Sequence, residues 1–520
     1  MSGSTARYVR LNSLDAISAL HLPSPSSSSR APLAVLRQLA SSPRHLAVLA
    51  AVLFGLVLLL ASGRSGGTAY GLAWGAGRFG AERAYSKLLQ TALKVSWKDQ
   101  MQPGQTYLTG MFFGGQSNQL LAMYNLLFLG KQLGRTVILP PFTAIHFTSG
   151  ARRPANQIYD LPRLFAEADV SAIPLSYFKS PIVENNQRDV VTCWSTMELY
   201  TGTVNNHQVE TGFNAHEVYT NFWAMPRIPR SSGGEVIQID PIISFLRNRT
   251  AQLEWVDQTR REILPQKSLP KDVDPATVDK EKNLKPFFDP LHFSPPTDDD
   301  QITCVDATFY VGDSVPPPPY PQHIPLEPWR GRAWKEVGRH LHFIPEVQEV
   351  ADEYLLRIFG VKRVEDVPPY ISVHVRRGDF KNFHGNTFTP LSNYAASVSD
   401  IRRQLQDRLD NPRSKAEREG KPALKRFSTP PSEYAVLVTS DEEGGSEMWK
   451  EVEALGWKRL DHTALKTVEV HGEWWPSMLD GELLARGQGF VGTQWSTFSM
   501  VSGLRVEYWR GGIQVVANPK

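Results

Sequence analysis

The chain has 520 residues, 41% of them apolar and 21% charged, with 56 lysines and arginines against 53 acidic residues. That is enough for two or three domains with their own cores, and so balanced a charge excludes a general nucleic-acid binder, leaving any basic site local. Two cysteines, Cys193 and Cys304, exclude a disulfide-dense scaffold and a four-thiolate zinc site, with one bridge between them left open.

Residues 1–45 are Ser-rich and poor in aromatics, and read as a disordered tail. Leu46 to Gly63, LAVLAAVLFGLVLLLASG, carries no charge. As a helix it spans about 27 Å, and it is expected to be a single transmembrane anchor. It has no amphipathic face for a buried core helix, and it lies too far from the start for a cleaved signal peptide. Arg37 and Arg44 on one flank balance Arg64 and Arg78 on the other, so flanking charge does not fix its orientation. Residues 64–100 form a stem. Gly75 to Gly80 fits G-x-G-x-x-G there, but no strand precedes it, so it is not read as a dinucleotide loop.

Residues 101–363 are expected to form a first domain with loop insertions. It opens with a strand, TYLTGMFF (106–113), followed by GGQSNQ and a helical stretch, NQLLAMYNLLFLGKQLG. Ser117 is the expected N-cap, Gly134 the left-handed residue at the end, and TVILPPF resumes a strand. The helix is apolar nearly all round, as one buried between layers of a doubly wound sheet would be. Asn248-Arg249-Thr250 is a glycosylation sequon if this region is lumenal. Residues 255–330 read as loops with a short strand at TFYV. Asp298-Asp299-Asp300 fits the D-x-D pair that holds a divalent ion, but it sits in a Pro-rich loop and is expected to be a solvated turn. A helix from Pro345 to Phe359 closes at Gly360, and VEDVPP (364–369) marks the expected boundary.

The second domain, 364–520, alternates strand and helix. YISVHVRRGDF (370–380) opens it, a solvated insertion covers 411–432, and EYAVLVTSD (433–441) is the next strand. The helix SEMWKEVEAL, a helix from about Pro476 to Arg486, the strand GFVGT (489–493) and the helix STFSMVSGLRVEYW complete a parallel α/β unit.

Open α/β sheets bind ligands at the carboxyl ends of their strands. Three polar clusters are expected there. Gly114 and Gly115 let backbone approach an anion, and Ser117 and Asn118 place donors at a helix start, a pattern that Ser496 and Thr497 repeat. Each taken alone is also an ordinary N-cap. Alternation puts His374 and Arg376 on one side of their strand, opposite Val373 and Val375. A guanidinium there can grip a diphosphate in two places and neutralise charge on a departing phosphate. Asp379 would orient that arginine or accept from a ligand hydroxyl; the structural alternative is an ion pair of Asp379 with Arg376 or Arg377. Arg377-Gly378-Asp379 as an adhesion tripeptide would require an exposed loop. The G-x-S-x-G elbow, the Walker A loop and paired zinc-ligand motifs are missing, which weighs against hydrolase, NTPase and zinc-enzyme readings.

GGQSNQ, VHVRRGDF and GFVGTQWSTFS, in this order over roughly 105–515, resemble the GDP-fucose protein O-fucosyltransferase family and its plant and fungal relatives. The resemblance implies a GT-B-like architecture, two Rossmann-like domains facing one cleft, with GDP-fucose held mainly by the second. It implies a type II anchor in the ER or Golgi membrane with a cytosolic tail and a lumenal catalytic domain, and no metal or other cofactor. By the same likeness Asn118 lies near the β-phosphate, and His374 and Arg376 contact nucleotide and phosphate. Asp379 is a following acidic contact, Ser496, Thr497 and Phe498 form the C-terminal GDP-binding segment, and Asp441 lies near the base. Arg376 is the expected catalytic residue. Some members carry a glutamate in the first glycine-rich loop as general base, where this chain has Gln116, Ser117 and Gln119, so the base stays open. The acceptor is a protein or a glycan. An α1,6-type glycan fucosyltransferase shares an H-x-R-R-x-D-like strand end, and a relative that binds nucleotide sugar or glycan without transfer is the alternative outside enzymes.

Overall fold

A computed structural model describes residues 97–112, 114–143, 152–178, 189–196, 218–226, 237–259, 295–306, 308–313, 330–378, 380, 388–415, 417–418 and 420–517. The expected anchor at Leu46 to Gly63, its tail, most of the stem and Asp379 lie outside them. Among the described residues no helix is long and apolar enough to cross a membrane.

The first sheet is all parallel and collects strands from distant parts of the chain. It contains β1 (Tyr107–Gly110), β2 (Thr136–Leu139), β3 (Ala172–Pro174), β4 (Asp189–Ser195), β5 (Val218–Ala224) and β7 (Ile302–Val305), in the order β3-β2-β1-β7-β4-β5. Strand β7 pairs with β1 on one side and β4 on the other. It comes from the stretch read above as loop, because four residues of ITCV between polar turns carry too short a pattern to register. On β4 and β7, Cys193 lies opposite Cys304 and the two are bonded, with 4.3 Å between their Cα atoms. The strand expected at TFYV is instead a 3-10 turn at Thr308–Tyr310, followed by a two-residue β8 (Val311–Gly312) that pairs with β6 (Ile237–Gln238).

Helix α1 (Gln116–Leu133) ends at Gly134 with φ 64°, as expected of a left-handed cap. Its start differs from expectation. Gly115 is the N-cap without a side-chain hydrogen bond, and Ser117 lies inside the first turn. The helix is buried almost throughout, packed on β1 and β2 and reached from the other side by the last helix of the chain. Asn125, buried within it, donates to the carbonyls of Thr308 and Val311 at 2.8 Å, so its amide is satisfied in the core.

The second sheet is also parallel, with β9 (Tyr370–Val375), β10 (Ala435–Ser440), β11 (Lys458–Arg459), β12 (Gly489–Thr493) and β13 (Ile513–Ala517) in the order β11-β10-β9-β12-β13. All six residues of β9 are buried, as both faces of a central parallel strand must be. Ile371, Val373 and Val375 pack in one cluster with Tyr394, Val398 and Ile401 of the helix Leu391–Asp410. Tyr370 and Ser372 face the other layer, where their hydroxyls donate to the carbonyls of Leu483 and Leu484. The helix Pro345–Phe359 packs on the helix Trp475–Ala485 and beside β11, in the company of the second sheet. One large hydrophobic cluster includes Leu126 of α1, Leu355, Leu479 and Leu504, so the helices between the two sheets share a core. Burying each such leucine contributes about 1.5–3 kcal/mol.

Candidate active site

Strand β9 ends at Val375, so Arg376 lies just past the strand at its carboxyl end, while His374 is on the face expected from alternation. His374 is 4% exposed. Burial, aided by the Arg376 charge, pushes its imidazole down to about 3, so the ring is neutral near pH 7. Its Nδ1 lies 2.7 Å from Ser499 Oγ, which also accepts from Thr493 N–H. With Nδ1 accepting the hydroxyl proton, the ring hydrogen sits on Nε2. The Phe498 ring lies against the imidazole with 4.9 Å between centroids.

Thr493, the last residue of β12, ties the neighbouring strand end to this one. Its hydroxyl accepts from Arg376 N–H at 2.8 Å, donates to the His374 carbonyl at 2.9 Å and lies 2.8 Å from the Tyr394 hydroxyl. Asp441, just past β10, braces the other side. One of its oxygens is 2.6 Å from Arg376 Nη1 and the other accepts from Arg377 N–H at 2.7 Å. A Cβ at Gly378 would run into this carboxylate, which explains the glycine in HVRRGD. The guanidinium carries five N–H donors, and this contact orients it, with the Phe380 ring 5.6 Å from its charge centre.

The β12 exit leads into α11, numbering the remaining helices α2 (Leu161–Ala168), α3 (Ile239–Arg247), α4 (Arg249–Gln258), α5 (Arg332–Glu336), α6 (Pro345–Phe359), α7 (Leu391–Asp410), α8 (Glu447–Ala454), α9 (Thr467–His471), α10 (Trp475–Ala485) and α11 (Thr497–Arg510). Ser496 is the true N-cap of α11, accepting from Ser499 N–H at 3.2 Å, and Thr497 is the first helical residue. Trp495 before it holds φ 68°, a left-handed conformation that costs a non-glycine residue about 1–2 kcal/mol.

The first glycine-rich loop meets this helix. Gly114 has φ 81° and lies so close to the Asn118 amide that a side chain there would collide. Gln119, fully buried, binds the Gly114 carbonyl at 2.7 Å and exchanges two hydrogen bonds with Thr143, which fixes the loop on the sheet. The side-chain oxygens of Gln116 and Asn118 are buried and have no hydrogen-bond partner among the described residues. Gln116 and Ser117 line a cavity of about 10 Å³ with Tyr159, Phe343, Phe498 and Arg505. Phe498 thus touches both His374 and the cavity under the first loop, so the structure brings all three clusters together.

Arg505 gave no sign of itself in the sequence, where it is one helical residue among many. It is 3% exposed, with its charge centre 4.4 Å from the Phe343 ring and 5.2 Å from that of Trp509. Burial lowers its affinity for the proton, opposed by Tyr159, yet a guanidinium remains charged. It places fixed positive charge beneath the loop that carries Asn118. Asp306, past β7, was missed too. Burial pushes its carboxyl up to about 6 against the pull of hydrogen bonds from Ser195 and Thr196. Thr493 and Ser499 are legible in the sequence only as parts of the run GFVGTQWSTFS, and nothing in the sequence marks Tyr394.

The D-x-D candidate lies at the amino end of β7, the edge opposite the strand exits. Asp299 accepts from Gln301 and Ile302 N–H and pairs with Lys98 at 2.6 Å, and Asp300 pairs with Arg249 at 2.9 Å. Among the described residues no three His, Cys, Asp or Glu side chains are grouped to hold a metal ion.

Two parallel sheets, one leading into α1 and the other carrying a braced arginine at the exit of β9 and leading from β12 into α11, have the α/β form in which anions are bound at strand exits and helix N-termini. The model of the family GDP-fucose protein O-fucosyltransferase matches residues 107–508, most of the chain, and the chain belongs to that family of GDP-fucose-dependent enzymes. Among solved structures it is similar to POFUT1 in complex with GDP-fucose, at 13% identity, covering 80% of this chain and 99% of that one with a TM-score of 0.44. It is also similar to fucosyltransferase NodZ from Bradyrhizobium, at 12% identity, covering 76% and 92% with a TM-score of 0.29. No curated protein matches the sequence.

Proposed function

We propose that the chain transfers fucose from GDP-fucose to a serine or threonine hydroxyl of a protein, with inversion and without a metal. The acceptor oxygen attacks the anomeric carbon as the bond to the β-phosphate oxygen breaks. The electron pair leaves on GDP, and the acceptor proton passes to a base or to solvent. Arg376 receives the growing negative charge, with Asn118 and the first turns of α1 and α11 as further donors. Asp441 and Thr493 hold Arg376 in register, and His374, Ser496, Thr497 and Phe498 shape the nucleotide side.

The observation that carries this reading is the bracing of Arg376 between Asp441 and Thr493 at the centre of a parallel sheet. Preorganised charge of this kind is worth about 3–4 kcal/mol in the transition state. Arg376→Ala is expected to keep the fold and cut GDP release from GDP-fucose by roughly 10²–10³; near-normal release would remove the assigned role. A nucleotide-sugar binder without transfer is the second reading, favoured by the lack of a carboxylate between Gln116 and Gln119. Tight GDP binding with no release in the unmodified chain would establish it. Peptide against N-glycan acceptors separates protein transfer from α1,6-type glycan transfer.

The same reading makes the chain a type II protein of the ER or Golgi membrane, anchored by residues 46–63 with residues 101–520 lumenal. The Cys193–Cys304 bond supports an oxidising compartment. Asn248 is exposed and caps α4 by accepting from Ala251 N–H. A loss of mass on glycosidase treatment, abolished in Asn248→Gln, is the expected result; full protease sensitivity of the domain in sealed microsomes would reverse the topology.

A further inference from the structure

In its described residues, the insertion at 411–432 does more than fill a loop. It folds back over the amino edge of the second sheet and encloses a cavity of about 390 Å³ with the end of α7 and the turn at Gly511 and Gly512 before β13. Strands of five or six residues put about 17–20 Å between this edge and the exits of β9 and β12. The volume falls within the range of small-molecule sites.

Its lining is unusual in charge. Arg408, Arg413, Arg418, Lys421 and Arg426 converge on it, with Glu507 as the one carboxylate among the lining residues. Glu507 is already engaged by Arg330 at 3.1 Å and by Lys421 at 4.0 Å, and Arg426 lies 3.6 Å from Asp410. Arg408, Arg413 and Arg418 make no ion pair among the described residues, although Arg418 reaches the Ser414 carbonyl at 3.4 Å. Like charges held this close repel. Burial first, and then the Arg413 charge, disfavour the charged form of Arg408. Pro412, Pro422 and Leu424 supply an apolar wall on the same cavity.

We propose that this cavity is a second ligand site, distinct from the candidate active site, for a small organic molecule bearing two or more phosphate or sulfate groups. Guanidinium groups bind such oxyanions in pairs of parallel hydrogen bonds, and several of them together neutralise a polyanion that one could not hold. The prolines and Leu424 receive the organic part. The site is far enough from the strand exits that its occupant does not compete with donor.

The test uses the full chain saturated with GDP, so that the active site is blocked, and titrates inorganic tripolyphosphate and ATP by calorimetry at low and physiological salt. Both are expected to bind, more weakly at the higher salt. The double variant Arg413→Glu/Arg418→Glu is expected to lose roughly tenfold or more in affinity for both, with GDP affinity and GDP release unchanged. The charge-matched Arg357→Glu/Arg363→Glu, at exposed positions elsewhere, is expected to bind as the unmodified chain does. Absence of binding at millimolar probe, equal loss in both double variants, or binding confined to vesicles of anionic lipid would each overturn the proposal.

Discussion

Thr493→Val is a near-isosteric change that removes one hydroxyl from the centre of the candidate site. That hydroxyl uses its whole capacity, one donated and two accepted hydrogen bonds, on the His374 carbonyl, the Arg376 N–H and the Tyr394 hydroxyl. At about 1 kcal/mol for each bond the loss is about 3 kcal/mol of stability, and more if the buried carbonyl stays unsatisfied. The functional effect comes through Arg376, whose backbone loses its hold on β12. A displacement on the order of 1 Å costs about 10²-fold in rate. The assay pairs denaturant unfolding with GDP calorimetry and GDP release from GDP-fucose. Thr493→Ser keeps the hydroxyl and is expected to retain most of both stability and turnover. If Thr493→Val unfolds at the unmodified midpoint and binds GDP with unmodified affinity, this hydrogen-bond lattice does not hold the strand exit, and the argument for a preorganised Arg376 loses its support.

Asp306 predicts a specific pH dependence. Its folded pKa, about 6, lies above the usual 3.8, so its stabilising contribution is present below pH 4 and lost as pH rises through 6. Two pH units correspond to roughly 3 kcal/mol. The stability of the unmodified chain relative to Asp306→Asn should therefore fall by about that much between pH 4 and 7, measured by denaturant unfolding; a constant difference would contradict the buried, proton-holding carboxyl. Replacing Cys193 and Cys304 together by alanine should lower stability by about 2–5 kcal/mol, given their sequence separation of 111. Unchanged unfolding of the oxidised protein would show the bond to be absent.

The features legible in the sequence are those decided within a short window. The runs Tyr370 to Val375 and Gly489 to Thr493 are apolar enough to be central strands, and strands they are. Gly134 closes α1 because only a left-handed residue ends a helix that way, and the glycine says so by itself. The order of the three polar clusters carries the resemblance to the family, and strand alternation marks His374 and Arg376 as strand-end residues. Tertiary structure decided the rest. Whether ITCV is a loop or the middle of a sheet depends on β1 and β4, both more than a hundred residues away, and the pairing of Cys193 with Cys304 follows from that insertion. Asp441 as the brace of Arg376, Thr493 as the hinge of two strand exits and Arg505 as buried charge beneath the first loop are likewise contacts between distant segments. A parallel sheet makes this unavoidable: each neighbour arrives after a crossover, so the strand ends that build a site are far apart in the chain and adjacent only in the fold.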